Sequence, residues 1–187
     1  SYSSISITPD QASDILRQLY QLTGDIAPLP GELDFNFKIT DSRQSYILKI
    51  SRPEMSSAYI QFQQALLDHV NASKIPLVCP ETVLAGDGKA VSRILDDAGT
   101  PRLVRLLTWI DGRMWSDVNP VTDTLLVSLG RQAGQVTRAL QGFDHDLARR
   151  DLVWDLAQAD WTRDHRNLFS GEQREIIDFF HHRFTQM

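Results

Sequence analysis

Polar and apolar residues alternate at period two in two successive segments, "DFNFKIT" (34–40) and "SYILKIS" (45–51). Phe35, Phe37 and Ile39 line one face of the first segment, and Asp34, Asn36, Lys38 and Thr40 the other. In the second, Tyr46, Leu48 and Ile50 form the apolar face, while Ile47, Lys49 and Ser51 point the other way. This alternation predicts two half-buried antiparallel strands, and "TDSRQS" supplies the turn. The apolar faces must coincide, because a slip of one residue would turn every side chain over. A four-residue loop pairing Thr40 with Ser45 sets Asn36 opposite Lys49. A two-residue loop sets Asn36 opposite Ile47. In both registers Asn36 and Lys49 share a face.

The remaining pattern predicts helices and shorter strands. Thr8 is the N-cap of a first helix that starts at Pro9, carries Ile15, Leu16, Leu19 and Leu22 on its apolar face and ends at Gly24. "SRPEMSSAYIQFQQALLDHV" predicts a second helix, with Tyr59, Phe62, Leu66, Leu67 and Val70 at helical spacing and Gln63 inside the stripe. "KIPLVCP" breaks it. "ETVLAGDGKAVSRIL" reads as a hairpin turning at "GDG", and "PRLVRLLTWIDG" as a strand ending at Asp111-Gly112. From Pro120 the pattern is helical. A long helix closes at Gly142, with Gly130, Ala133, Gly134 and Thr137 along one side, which predicts close approach by a neighbour. Two further helical segments finish the chain. Strands first and helices after predict an α+β fold, with an antiparallel sheet of about five strands plus one helix. The expected division is 1–111, the sheet lobe with its N-terminal helix, and 112–187, a helical part.

Composition narrows the function. Apolar residues make up 42% of the 187, enough for a core, and the net charge is -5. That balance gives no electrostatic footprint for nucleic acid or an acidic membrane, so neither is an expected partner. The single cysteine, Cys79, reads as structural, and low cysteine use with no signal pattern predicts a cytoplasmic protein. No apolar run reaches membrane-spanning length. "NAS" at Asn71 is a sequon by chance. "GDGKA" lacks the first glycine and the hydroxyl of an NTPase phosphate loop, and no GxGxxG or GxSxG occurs. His69, His145 and His165 are single, and His181 and His182 point in different directions from one helix, so no metal site is expected.

Lys49 is the unusual position. A lysine in the centre of a short apolar strand must bring its charge to water or to an anion. Composition alone leaves both open. Asn36 on its face and Gln63 on the core side of the next helix favour an anion, because kinase-like folds steady a strand lysine against nucleotide phosphates in this way.

"DFNFKIT…QSYILKI" resembles the opening hairpin of the aminoglycoside phosphotransferase and choline kinase superfamily. "PRLVRLLTWIDGRM" resembles its hinge. "LLVSLGRQAGQVTRALQGFDH" followed by "RRDLVWDLAQA" is most similar to the hydroxylysine kinase-like branch. The resemblance spans residues 10 to 187 and implies a protein-kinase-like N lobe, a hinge and an incomplete helical C lobe. It implies that Lys49 contacts nucleotide phosphates, that Asp34 and Asn36 belong to the loop and strand covering them, and that the backbone around Thr108, Trp109 and Ile110 holds the base. Gln63 falls where many relatives have a glutamate paired with the lysine, and the cover loop has only Gly31.

The family's His-Gly/Asn-Asp-x-x-x-x-Asn loop, which supplies the catalytic Asp and a magnesium ligand, does not occur in these residues. No catalytic residue and no metal ligand is therefore assigned. The expectation is the N-terminal fragment of a larger kinase that uses ATP or GTP with Mg2+ and phosphorylates a small amino alcohol. Its partners would be the nucleotide, that substrate and the remainder of its own polypeptide. Bacterial relatives of this branch are often fused to a class III pyridoxal-phosphate aminotransferase. The alternative is a non-catalytic nucleotide-sensing or docking module.

Overall fold

A computed structural model describes residues 7–32, 34–152, 155–184 and 186. Helix α1 (Pro9–Tyr20) opens with a reciprocal cap. The Thr8 hydroxyl accepts from the Gln11 amide, and the Gln11 side chain accepts from the Thr8 N–H. The helix ends before the expected Gly24, because Gln21 already adopts a left-handed conformation (φ 55°) and closes it. Gly24 has a different task. A Cβ there would lie 2.5 Å from the Thr40 carbonyl oxygen, so only glycine lets the chain pass the end of the neighbouring strand.

That passage starts a strand the hydrophobic pattern did not reveal. Strand β1 (Asp25–Leu29) pairs antiparallel with β2 (Asp34–Thr40). Its alternation is weak and it contains Pro28, which an edge strand tolerates. Strand β2 pairs with β3 (Ser45–Ser51), with Thr40 opposite Ser45 and Asn36 opposite Lys49. The Asp41 carboxylate selects the four-residue loop by accepting from the N–H groups of Arg43 and Gln44, each at 2.7 Å.

Helix α2 (Ser57–Ala72), capped by Ser56, buries Ile60, Phe62 and Val70, while Tyr59, Gln63, Leu66 and Leu67 are half-buried. The expected turn at "GDG" forms, closed by the Ala85 N–H on the Lys89 carbonyl at 2.9 Å, but the two arms of the expected hairpin do not pair beyond it. Strands β4 (Thr82–Val83) and β5 (Ser92–Leu95) both pair with β6 (Pro101–Thr108), one beyond the other along it, rather than with each other. The reason is the character of β6. It is buried on both faces from Arg102 to Leu107 apart from half-buried Leu103, so it also pairs with β3 and takes an inner place in the order β1-β2-β3-β6-β4. The apolar faces of β2, β3 and β6 pack against Ala12, Leu16 and Tyr20 of α1 to form the core.

Helix α3 (Asp123–Ala139) is capped by Thr122. The close neighbour expected at Gly130 and Gly134 is absent among the described residues, where added Cβ atoms would meet nothing within 4 Å. After α3, Phe143 packs on Phe62 and His69 of α2. Contacts group the chain into Ser1–Asp144 and His145–Met187. In the second unit, a kinked 3-10 segment (Leu156–Leu168) lies against α4 (Gly171–Phe184). Thr162 hydrogen-bonds His181 at 3.0 Å, and Arg166 meets Asp178 at 3.4 Å.

Candidate functional site

Antiparallel register puts three polar side chains in one row across β2, β3 and β6: Asn36 opposite Lys49, and Lys49 opposite Arg105. Asp34, two residues before Asn36, shares that face. Lys49 Nζ donates to Asn36 Oδ1 at 2.6 Å and lies 3.3 Å from Asp34 Oδ2. Arg105 Nη2 is 3.6 Å from the same Asp34 oxygen. The side chains of Lys49, Asp34 and Arg105 are 20%, 11% and 7% exposed, so Lys49 is the member of the cluster that solvent reaches most.

Burial moves the charges of this cluster. Desolvation holds the Lys49 ammonium below the usual lysine range. Asp34 pulls it back up, and Arg105 adds a smaller push downward. The Arg105 guanidinium is lowered for the same first reason and is supported by Asp34 and, less strongly, by Tyr59 of α2. An ammonium has three donors. Asn36 and Asp34 occupy two, which leaves one without a partner among the described residues. The second Asp34 oxygen, Oδ1, is buried and has no hydrogen-bond partner among the described residues.

The loop between β1 and β2 is pinned onto this row. Asn36 Nδ2 donates to the carbonyls of Pro30 and Asp34, both at 3.3 Å. Gly31 makes this possible, since a Cβ there would stand 2.2 Å from Asn36 Nδ2 and 2.3 Å from the Asp34 carbonyl. One asparagine therefore joins the cover loop to the lysine. Gln63, half-buried on α2, makes no hydrogen bond to Lys49 among the described residues; the acid beside the lysine comes from β2.

At the far end of β6, two of the three hinge N–H groups are already used. Thr108 donates to Glu81 O at 2.9 Å and Trp109 to Ser45 O at 3.0 Å. The Ile110 N–H has no backbone partner among the described residues, and its residue is 39% exposed. The Lys38 ammonium sits 4.5 Å above the Trp109 ring, and the indole N–H donates to Asp111 at 3.1 Å, which fixes the hinge against β2.

Sequence reasoning missed Arg105, although "LVRLL" carries the same signal as Lys49: a cation at the centre of an apolar strand. Arg102 in the same strand has another purpose. Fully buried, it gives Nε and Nη2 to Asp96 at 2.8 and 2.6 Å and clamps the β5–β6 turn. Trp154, part of the Trp-Asp-Leu segment, lies outside the described residues. Cys79 is half-buried. Among the described residues no group of three or more His, Cys, Asp or Glu side chains is placed to hold a metal, and no helix is long and apolar enough to cross a membrane.

The antiparallel sheet with its helices is a kinase-like fold. The chain belongs to the phosphotransferase enzyme family, which matches residues 25–184. It is similar to the solved structure of amicoumacin kinase in complex with AMP-PNP, Ca2+ and its ligand, at a TM-score of 0.67 and 19% identity over 97% of this chain and 55% of that one. A spectinomycin phosphotransferase with ADP and spectinomycin aligns at a TM-score of 0.62 and 13% identity, over 90% and 50% of the two chains. A microcompartment-associated aminopropanol kinase aligns at 0.57 and 21%, over 77% and 44%. The chain thus spans about half the length of these kinases. No curated protein matches it.

Proposed function

We propose that this chain is the nucleotide-binding part of a small-molecule phosphotransferase, one that moves the γ-phosphate of ATP or GTP to the hydroxyl of an amino alcohol. The observation that carries this is the row Asn36–Lys49 beside Asp34, in a chain of the phosphotransferase enzyme family. Lys49 would offer its remaining N–H and its charge to the phosphates. Asn36 would keep the cover loop and the lysine in one arrangement, and Gln63 would add at most a neutral contact from α2. Catalysis in such enzymes rests on positioning and charge neutralisation. The free Ile110 N–H is the hinge group for the base, since those of Thr108 and Trp109 are engaged. Two of the structural neighbours hold adenine nucleotides, which makes ATP the first nucleotide to test. Mg2+ would arrive with the nucleotide, its protein ligands lying outside the residues assigned here. In this reading the chain is the N-terminal part of a larger kinase of the hydroxylysine kinase-like branch, with a fused class III aminotransferase as one arrangement to test.

Thermal shift with ATP or GTP and Mg2+, on the parent and on Lys49→Ala, tests the core of the proposal. Charge-assisted hydrogen bonds contribute about 1.5–3 kcal/mol, so Lys49→Ala should weaken binding by about ten- to a hundredfold. Stabilisation by nucleotide that is unchanged in Lys49→Ala would refute the role of Lys49. A second reading, a nucleotide-sensing or docking module, is favoured by one observation: α2 offers Lys49 the amide Gln63 rather than an acid. Nucleotide binding without transfer by the full-length protein would support it.

A further inference from the structure

Lys49 has a carboxylate partner although α2 offers it only an amide. We propose that Asp34 is the positioning residue of this lysine, holding Lys49 and Arg105 as one charge cluster in place of an acid from α2. The inference deepens the phosphate-binding role proposed for Lys49 and rests on it for its purpose, though not for its test.

Two cations stand directly opposite each other on adjacent strands, where like charges repel. All the side chains are largely buried, so water screens them weakly. Asp34 reaches both from the diagonal position on β2, with one oxygen 3.3 Å from Lys49 and 3.6 Å from Arg105. Without it the pair would carry two uncompensated charges, and the lysine would be the one to yield a proton, because a guanidinium does not. Among the described residues no N–H of the loop donates to Asp34 Oδ1, so this carboxylate is not spent on holding the loop there. The charged and titratable groups around Lys49 are Asp34 on β2 and Arg105 on β6, with Tyr59 of α2 acting on Arg105. The acid sits on the strand paired with that of the lysine, so the contact is made without α2.

The protein has four lysines, so 13C-lysine NMR resolves the Lys49 side chain for titration. Asp34→Asn should lower the Lys49 midpoint, Arg105→Met should raise it, and Gln63→Ala should leave it unchanged. A merely structural role for Asp34 would leave the Lys49 midpoint in folded Asp34→Asn unchanged. An unchanged midpoint in folded Asp34→Asn overturns the proposal, as does a Gln63→Ala shift as large as that of Asp34→Asn. If Asp34→Asn does not fold, Arg105→Met decides: an upward shift supports the cluster and no shift overturns it. ATP binding is measured separately. In Asp34→Asn the affinity should be lost at lower pH than in the parent, as the lysine loses its charge. A parent protein that binds no nucleotide refutes the phosphate role of Lys49, and the NMR titration still tests Asp34.

Discussion

Asn36 joins two tasks that a single side chain seldom combines. Its oxygen holds the ammonium of Lys49, and its amide group holds the carbonyls of the cover loop. The lysine and the loop therefore share one anchor, and the glycine above it sets the tolerance. Gly31→Ala places a methyl carbon against both the Asn36 amide and the Asp34 carbonyl, so the loop or the asparagine must shift. Overpacking of this kind costs about 1–3 kcal/mol. The variant should melt at a lower temperature and also bind ATP more weakly, because the displaced asparagine releases Lys49. Calorimetric melting and titration with ATP check the two effects together. A variant that loses stability yet keeps full ATP affinity would separate the loop from the lysine.

At the scale of elements, strand pairing decides which N–H groups at the end of β6 stay unpaired among the described residues. Strand β6 borrows a carbonyl from Glu81 and another from Ser45 to extend its ladder past Leu107. These bonds take the Thr108 and Trp109 donors out of play and leave Ile110. Ile110→Pro removes that one N–H and leaves both ladder bonds in place. We expect little change in melting temperature and about a tenfold loss of ATP affinity, in line with an unmade hydrogen bond of about 1–3 kcal/mol. Isothermal titration with ATP measures it, and unaltered affinity would move the base elsewhere. The same competition explains why the arms on either side of the turn at Gly88 do not pair with each other. Each of the two arms finds a longer apolar partner in β6 than the other arm provides.

For the molecule as a whole, three turns depend on ionised aspartates. Asp41 holds the β2–β3 turn, Asp87 the turn at Gly88, and Asp96 the β5–β6 turn with Arg102 behind it. Their carboxyls are all held below the ordinary value of 3.8. Backbone N–H groups are the first cause for Asp41 and Asp96, and the Lys89 side chain is for Asp87. A carboxyl lowered by folding binds its proton less readily in the native state. Its contribution is therefore complete at neutral pH and is lost as the pH falls below about 4. The melting temperature should drop through that acid range, and Asp96→Asn should flatten the drop while lowering stability at neutral pH. A scan of melting temperature from pH 7 to pH 2 checks this. Much of the fold is legible in the sequence at this scale. Period-two alternation identifies β2 and β3 because one face of each is buried, and the coincidence of apolar faces limits their register to two choices. The helices α1 and α2 are legible from their caps and spacing. Strand β1 is not, since Pro28 and a nearly exposed edge leave no periodic signal. Arg105 is hidden within an apolar strand, although its oddity equals that of Lys49.

By itself, then, the sequence determined the local periods, the face on which Lys49 lies, and Asn36 as its companion, because these follow from how side chains alternate along a single strand. It also carried the family resemblance. Tertiary structure alone decided which acid meets the lysine, that Arg105 stands across from it, and which hinge N–H remains free. Those depend on the pairing of β6 with three other strands, and pairing between distant segments is set by burial and hydrogen-bond competition across the whole sheet rather than by any local pattern.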